Sequence, residues 1–65
     1  MKTKEEILKN FDEEIAYWNG VVGEEYEKYR KGGTELHDFK VKYFDAMARV
    51  ETLEYAKEQL EELNQ

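Results

Sequence analysis

The stretch YWNGVVGEEY, residues 17–26, decides the fold, because its two glycines either break a long helix or lie within it. Asn19-Gly20 is a dipeptide typical of turns, and each glycine costs roughly 1 kcal/mol in a helix relative to alanine. The apolar spacing nevertheless continues through the stretch, since Trp18 and Val22 are four residues apart, as on one face of an uninterrupted helix. We therefore predict one continuous or kinked helix here. The alternative is a three-helix fold with a break between Asn19 and Gly23.

Outward from this stretch, apolar residues recur at alternating steps of three and four in both halves of the chain. In the first half this main seam consists of Leu8, Phe11, Ile15, Trp18, Val22 and Tyr29, with Glu25 in one position of the repeat. In the second half it consists of Leu36, Phe39, Tyr43, Ala46, Val50, Leu53 and Leu60, with Lys57 in one position. Heptad-like spacing of this kind is typical of helices that pack side by side at shallow angles.

Capping signals place the ends of both helices. Thr3 followed by Glu6 forms a capping box before the first helix. Gly32 can adopt the left-handed conformation that closes this helix, and Thr34 is the expected N-cap of the second helix. We therefore predict an all-α fold, an antiparallel hairpin of helices 4–31 and 35–63, in a single domain that spans residues 1–65.

The small size of the chain limits how it can be stable. A domain of 65 residues buries only about 60% of the surface that its unfolded chain exposes, so such domains commonly depend on disulfides, metals or oligomerisation. The chain has no cysteine and one histidine, which excludes disulfides and argues against a structural zinc site. No apolar run approaches the roughly 20 residues that a membrane span requires. We expect a cytoplasmic protein without membrane attachment, stabilised by oligomerisation.

The second helix carries more apolar residues than one partner helix can cover. Val41, Phe44, Ala48 and Tyr55 project more than about 100° from the centre of its main seam. An exposed patch of this kind usually marks an interface. Two hairpins would cover it, so we predict a homodimeric four-helix bundle. In length and arrangement this assembly is similar to the Rop family of plasmid copy-number regulators, a likeness of architecture that implies no function.

The chain lacks the residue sets that catalysis and metal binding require. His37 is the only histidine. As a general base it would need a carboxylate to orient it, and the adjacent Asp38 points away from it on a helix. Serine is absent, no glycine loop has the lysine and hydroxyl pattern that cradles phosphate, and no Glu-x-x-His pair of a di-iron bundle occurs. We therefore expect a protein that is not an enzyme and binds no metal or other cofactor.

Acidic residues exceed basic ones by sixteen to ten, which gives a net charge of −6. Residues 24–42 contain five of each, so a hairpin that turns near residue 33 collects the excess at the end with the termini. This charge argues against binding to nucleic acid, because contacts with phosphates require Lys and Arg. The predicted acidic surface consists of Asp12, Glu13, Glu14, Glu51, Glu54, Glu58, Glu61 and Glu62.

Two functional hypotheses follow from these features. The first is a small acidic regulatory or adaptor protein that binds another protein through its helix faces, with contacts from Tyr17, Val21, Val41, Phe44 and Tyr55. The second is an inhibitor that imitates nucleic-acid phosphates and occupies a basic groove. In general character the chain is similar to the compact acidic inhibitors of nucleases and of host defence that phages encode. A steep loss of affinity with rising ionic strength would favour the second hypothesis.

Overall fold

The fold is a hairpin of two antiparallel helices, seen here in a computed structural model that describes residues 2–63. Helix α1 spans Lys4–Arg30 and helix α2 spans Leu36–Glu62, each with 27 residues. The predicted all-α hairpin is confirmed, and its helix ends lie within one residue of the predicted ones. The hairpin is a rod of 47 × 16 × 15 Å. The predicted outer limits of the domain, residues 1 and 65, lie outside the described residues.

Helix α1 continues without interruption through Gly20 and Gly23, so the alternative with three helices is wrong. The residues on either side of Gly20 explain this continuity. Trp18 and Val22 are both partly buried against α2. Burying a large apolar side chain stabilises a fold by roughly 1.5–3 kcal/mol, which offsets the loss of about 1 kcal/mol at each glycine.

Both ends of α1 are closed by the predicted signals. The Thr3 hydroxyl accepts a hydrogen bond from the Glu6 backbone N–H at 3.2 Å, which confirms Thr3 as the N-cap. At the other end Gly32 adopts a φ of +82°, and the Gly33 N–H donates to the Lys28 carbonyl at 2.8 Å. These contacts form a Schellman motif, which satisfies carbonyl groups that the end of a helix leaves without partners.

The start of α2 differs from the prediction, because its N-cap is Glu35 and not Thr34. Glu35 has an extended backbone, and its carbonyl accepts the Phe39 N–H at 2.9 Å, while its side chain makes no capping hydrogen bond. Thr34 lies within the turn, one residue too early to cap α2, because the Schellman motif occupies the two residues before it. The first turn of α2 thus has no side-chain cap, and Phe39 in this turn stacks on Tyr29 of α1.

The core between the helices is thin. Among the apolar residues from 2 to 63, only Ala46 (0% exposed) and Val50 (9% exposed) count as buried. Most other main-seam residues are half-buried, and Tyr29 and Leu36, at the turn end, are exposed. The ring of Tyr29 stacks on Phe39 there, with 4.3 Å between centroids. Within residues 2–63, neither helix combines the length and apolarity that crossing a bilayer requires.

The space around Gly20 and Gly23 leads to a test of the continuous helix. A Cβ atom built at either glycine meets no atom within 4 Å. We therefore expect Gly20→Ala and Gly23→Ala each to raise the free energy of unfolding by about 1 kcal/mol, because alanine loses less backbone entropy in a helix. Urea denaturation followed by circular dichroism at one protein concentration measures this change.

Gly32→Ala is the matched control for these substitutions. The same change should destabilise the hairpin by about 1–2 kcal/mol, because the positive φ of Gly32 is unfavourable for a residue with a Cβ atom. Lower stability of both Gly20→Ala and Gly23→Ala would contradict a regular helix through residues 19–23.

Candidate protein interface

An exposed apolar stripe lies on the side of α2 that faces away from α1. We define this outer face as Val41, Phe44, Ala48 and Tyr55. At 3.6 residues per turn each of the four lies about 140–180° around the helix from the fully buried Ala46. Val41, Phe44 and Tyr55 are 57%, 58% and 65% exposed. Because α1 covers the opposite side of α2, the hairpin cannot bury this face by itself.

The other two predicted contact residues belong to α1 and lie apart from the outer face. Tyr17 is 64% exposed, and Val21 is half-buried. They are about 100° and 60° around α1 from Trp18, on one flank of the helix. The ring of Tyr17 meets the ring of Trp18 edge-on, with 5.1 Å between centroids. The structure therefore divides the five predicted residues between two surfaces.

A groove between the helices adjoins the outer face. This tryptophan groove has a volume of about 280 Å³ and is lined by Glu14, Trp18, Ala48, Arg49, Thr52 and Leu53. Ala48 belongs to both the groove and the outer face. The groove offers an aromatic ring together with an acidic and a basic side chain, which suits an amphipathic segment of another protein better than a purely apolar one.

Arg49 is the charged residue of this groove that the sequence analysis did not single out. Its guanidinium carbon lies 4.6 Å from the centroid of the Trp18 ring, in a cation–π contact. Its Nε atom also donates to the Asp45 carboxylate at 3.0 Å. The Asp45–Arg49 spacing of four residues was visible in the sequence, but the contact with Trp18 depends on the alignment of the two helices.

Glu25 is the buried polar residue of the main seam. It is 8% exposed, and its Oε1 atom lies 3.5 Å from the Lys28 ammonium. Its Oε2 atom is buried and has no hydrogen-bond partner among the described residues. A buried carboxylate with one weak ion pair does not recover the free energy that it loses by leaving water. We therefore expect Glu25 to weaken the hairpin.

Neutral replacements of Glu25 test this cost. We expect Glu25→Gln and Glu25→Leu to raise the free energy of unfolding, the leucine variant by roughly 1–3 kcal/mol, because the buried charge is removed. Glu24→Gln, a change at the neighbouring exposed position, is the control and should change stability by less than about 0.5 kcal/mol. Urea denaturation measures all three, and a large loss of stability in Glu25→Leu would show that the carboxylate has a stabilising partner.

The acidic side chains are exposed at the end of the hairpin that carries the termini. All eight predicted residues are exposed, on the N-terminal half of α1 and the C-terminal half of α2, which lie side by side.

One of the eight is paired, because the Lys57 ammonium lies 2.6 Å from the Asp12 carboxylate. This hydrogen bond raises the pKa of Lys57 above its ordinary value of 10.5. The stability that it contributes is complete below pH 10.5 and is lost only as the pH rises through the higher pKa.

Neither a catalytic arrangement nor a relative identifies the activity. His37 is exposed in the first turn of α2. Residues 2–63 contain no group of three or more His, Cys, Asp or Glu side chains placed to hold a metal ion. Comparison with known protein families, with curated protein sequences and with solved structures finds no match to this chain. Its function is therefore inferred from its own surfaces.

Proposed function

We propose that this chain is a small acidic, non-enzymatic regulatory or adaptor protein of the cytoplasm. It binds other proteins through its helix faces, and it assembles as a homodimeric four-helix bundle. The observation that supports this proposal most strongly is the outer face of α2, where three large apolar side chains are each more than half exposed. Patches of this kind on soluble domains usually serve as interfaces.

The free energy available from the outer face is large for a protein of this size. Full burial of a Val, Phe or Tyr side chain contributes about 1.5–3 kcal/mol, so covering the exposed parts of Val41, Phe44 and Tyr55 would contribute roughly 3–5 kcal/mol. Aromatic residues also dominate the binding energy of many interfaces. The face thus provides a major part of the free energy that offsets the entropy lost on association.

The total surface of the hairpin supports an assembly as well. Its accessible surface is 5196 Å², whereas a compact monomer of 7.8 kDa exposes about 4,400 Å². The difference, about 800 Å², reflects the elongated shape of the hairpin. Two helices form a rod, and a rod has too little interior to enclose the apolar side chains of α2.

Substitutions on the outer face test the proposal. We expect the double variant Phe44→Ala/Tyr55→Ala to keep the helix content of the native protein, because both side chains are exposed and contribute little to the core. Self-association should weaken at least tenfold, since most of the apolar contact area is removed. Size exclusion with light scattering over a range of concentrations measures the change, and affinity capture from lysate compares the proteins bound by native and variant chains.

The matched control is Tyr26→Ala, which removes a half-exposed tyrosine of α1 that lies outside the outer face. It should leave self-association and capture unchanged. The proposal is wrong if the Phe44→Ala/Tyr55→Ala variant is indistinguishable from the native protein in both measurements.

A second candidate function rests on the position of the acidic side chains. Seven of the eight predicted acidic residues have no ion pair within residues 2–63, and α1 and α2 present them together at one end of the rod. Such an array of carboxylates could imitate the phosphates of a nucleic acid and occupy a basic groove. Binding would then depend on the acidic end, not on the outer face.

Ionic strength separates the two functions for any partner that is captured. We expect the affinity to change little between 50 and 300 mM salt, because apolar contacts are not screened. A loss of tenfold or more would favour phosphate mimicry. The triple variant Glu58→Gln/Glu61→Gln/Glu62→Gln provides an independent measurement. It should bind as the native chain does, whereas under phosphate mimicry it should bind more weakly.

A further inference from the structure

We propose that the outer face of α2 packs against the same face of a second copy, with the two α2 helices antiparallel and Ala48 close to the two-fold axis. This inference rests on the homodimer of the proposed function and specifies its interface and orientation. The outer face lies opposite the contact with α1, so the two α2 helices form the centre of the dimer and each α1 lies outside. The four helices then lie in a row, α1–α2–α2–α1, so the homodimer is a four-helix layer in place of the square bundle proposed above.

The spacing along the outer face supports direct pairing of two α2 helices. Val41, Phe44, Ala48, Glu51 and Tyr55 follow steps of three, four, three and four, which is the repeat of a helix–helix seam. Glu51 is the single polar residue among the five. Its aliphatic stem can pack in the seam while its carboxylate stays in water. The seam extends over about 21 Å, since 14 residues rise 1.5 Å each.

The sizes of the side chains favour the antiparallel orientation. With Ala48 at the axis, Val41 lies opposite Tyr55 of the second copy, and Phe44 lies opposite Thr52. Each large side chain then meets a smaller one, and the small Ala48 lets the backbones approach at the centre. In a parallel pair in register, Tyr55 would meet Tyr55 and Phe44 would meet Phe44, which leaves poor packing around Ala48 and Val41.

The charge along α2 favours the same orientation. Residues 36–49 contain three basic and two acidic side chains, a net charge of +1, whereas residues 50–62 contain one basic and five acidic side chains, a net charge of −4. An antiparallel pair places the acidic half of each α2 beside the slightly basic half of the other. A parallel pair would bring the two acidic halves together, and like charges repel.

Lys40 and Glu54 are the residues through which this charge pattern acts most directly. Both lie on the same side of α2, about 120° and 80° around the helix from Ala46, so that Lys40 borders the outer face and Glu54 lies nearer α1. In the antiparallel pair each Lys40 lies within two residues of the position opposite Glu54 of the second copy. The two-fold symmetry makes this contact twice, so each substitution changes two ion pairs in the dimer.

This dimer covers the side of the tryptophan groove that Ala48 and Thr52 line, and it leaves the side with Trp18 and Arg49 accessible. Trp18 and Arg49 lie on the side of the hairpin, between α1 and α2, and not on the surface that faces the second copy. Tyr17 and Val21 are likewise on α1, which lies outside. The dimer thus presents two copies of the Trp18 side of the groove to other proteins.

Cysteine cross-linking tests the orientation, since the native chain contains no cysteine. A disulfide requires Cα atoms within about 7 Å. We expect a mixture of Val41→Cys and Tyr55→Cys chains to form a mixed disulfide on oxidation, and Val41→Cys alone to form little. Two Ala48→Cys chains should cross-link to each other in either orientation. This variant therefore tests whether the outer face is the dimer interface. Non-reducing electrophoresis and mass spectrometry identify the products.

Charge reversal provides a second measurement that needs no covalent bond. Lys40→Glu should weaken the dimer about threefold to tenfold, because it places two pairs of like charges opposite each other. Glu54→Lys in the same chain should restore the native dissociation constant at low salt. Sedimentation equilibrium measures both variants.

Each contrary outcome identifies which statement fails. A disulfide in Val41→Cys alone, without the mixed product, overturns the antiparallel orientation. A dimer in which Ala48→Cys does not cross-link overturns the face, while the homodimer itself stands. A dissociation constant of about 100 µM is the upper range for weak association. A native protein that remains monomeric at this concentration overturns the homodimer and with it this inference. Binding of other proteins through Phe44 and Tyr55 is then decided separately by the capture measurement.

Discussion

Two packed helices can each cover only one stripe of the other, and the remaining features of this protein depend on that limit. α1 covers the side of α2 that carries Ala46 and Val50, the only buried apolar residues from 2 to 63. The opposite side carries Val41, Phe44 and Tyr55, which the same contact leaves in water. Apolar residues thus lie on two opposite sides of α2, whereas a helix stable on one partner needs a single apolar stripe.

The two polar residues in the main seam show how position along the rod changes the effect of a charge. Lys57 is near the end with the termini, where its ammonium reaches the Asp12 carboxylate and remains in contact with water. Glu25 is closer to the turn, and one of its carboxylate oxygens is buried without a partner. The contact with Asp12 stabilises the protonated form of Lys57 and with it the hairpin, whereas we expect the buried oxygen of Glu25 to reduce stability. A polar residue at a core position can also restrict how helices align. Glu25 can serve this role while its buried carboxylate lowers the stability of the hairpin.

The surfaces left by the hairpin have different chemistry and suit different contacts. The outer face of α2 is apolar, straight and about 21 Å long, which suits a second copy of the same helix. The tryptophan groove combines the Trp18 ring with Arg49 and Glu14 and is more polar. The acidic end carries most of the net charge and disfavours parallel association of two copies. Self-association and binding of other proteins can therefore use separate parts of the same small rod.

The sequence by itself determined the two helices, the Thr3 cap, the turn at Gly32 and the position of the acids at one end. These features depend on residues three or four positions apart, or on the conformations open to glycine, and both are local properties of the chain. The tertiary structure decided that Glu35 and not Thr34 caps α2, that Glu25 is buried, that Arg49 covers Trp18, and that Tyr17 and Val21 lie apart from the outer face. The cap follows from the Schellman turn before Thr34, whereas the other three depend on the register of α1 against α2. The geometry of the turn and the packing of facing side chains set that register. The spacing of residues within one helix does not specify it.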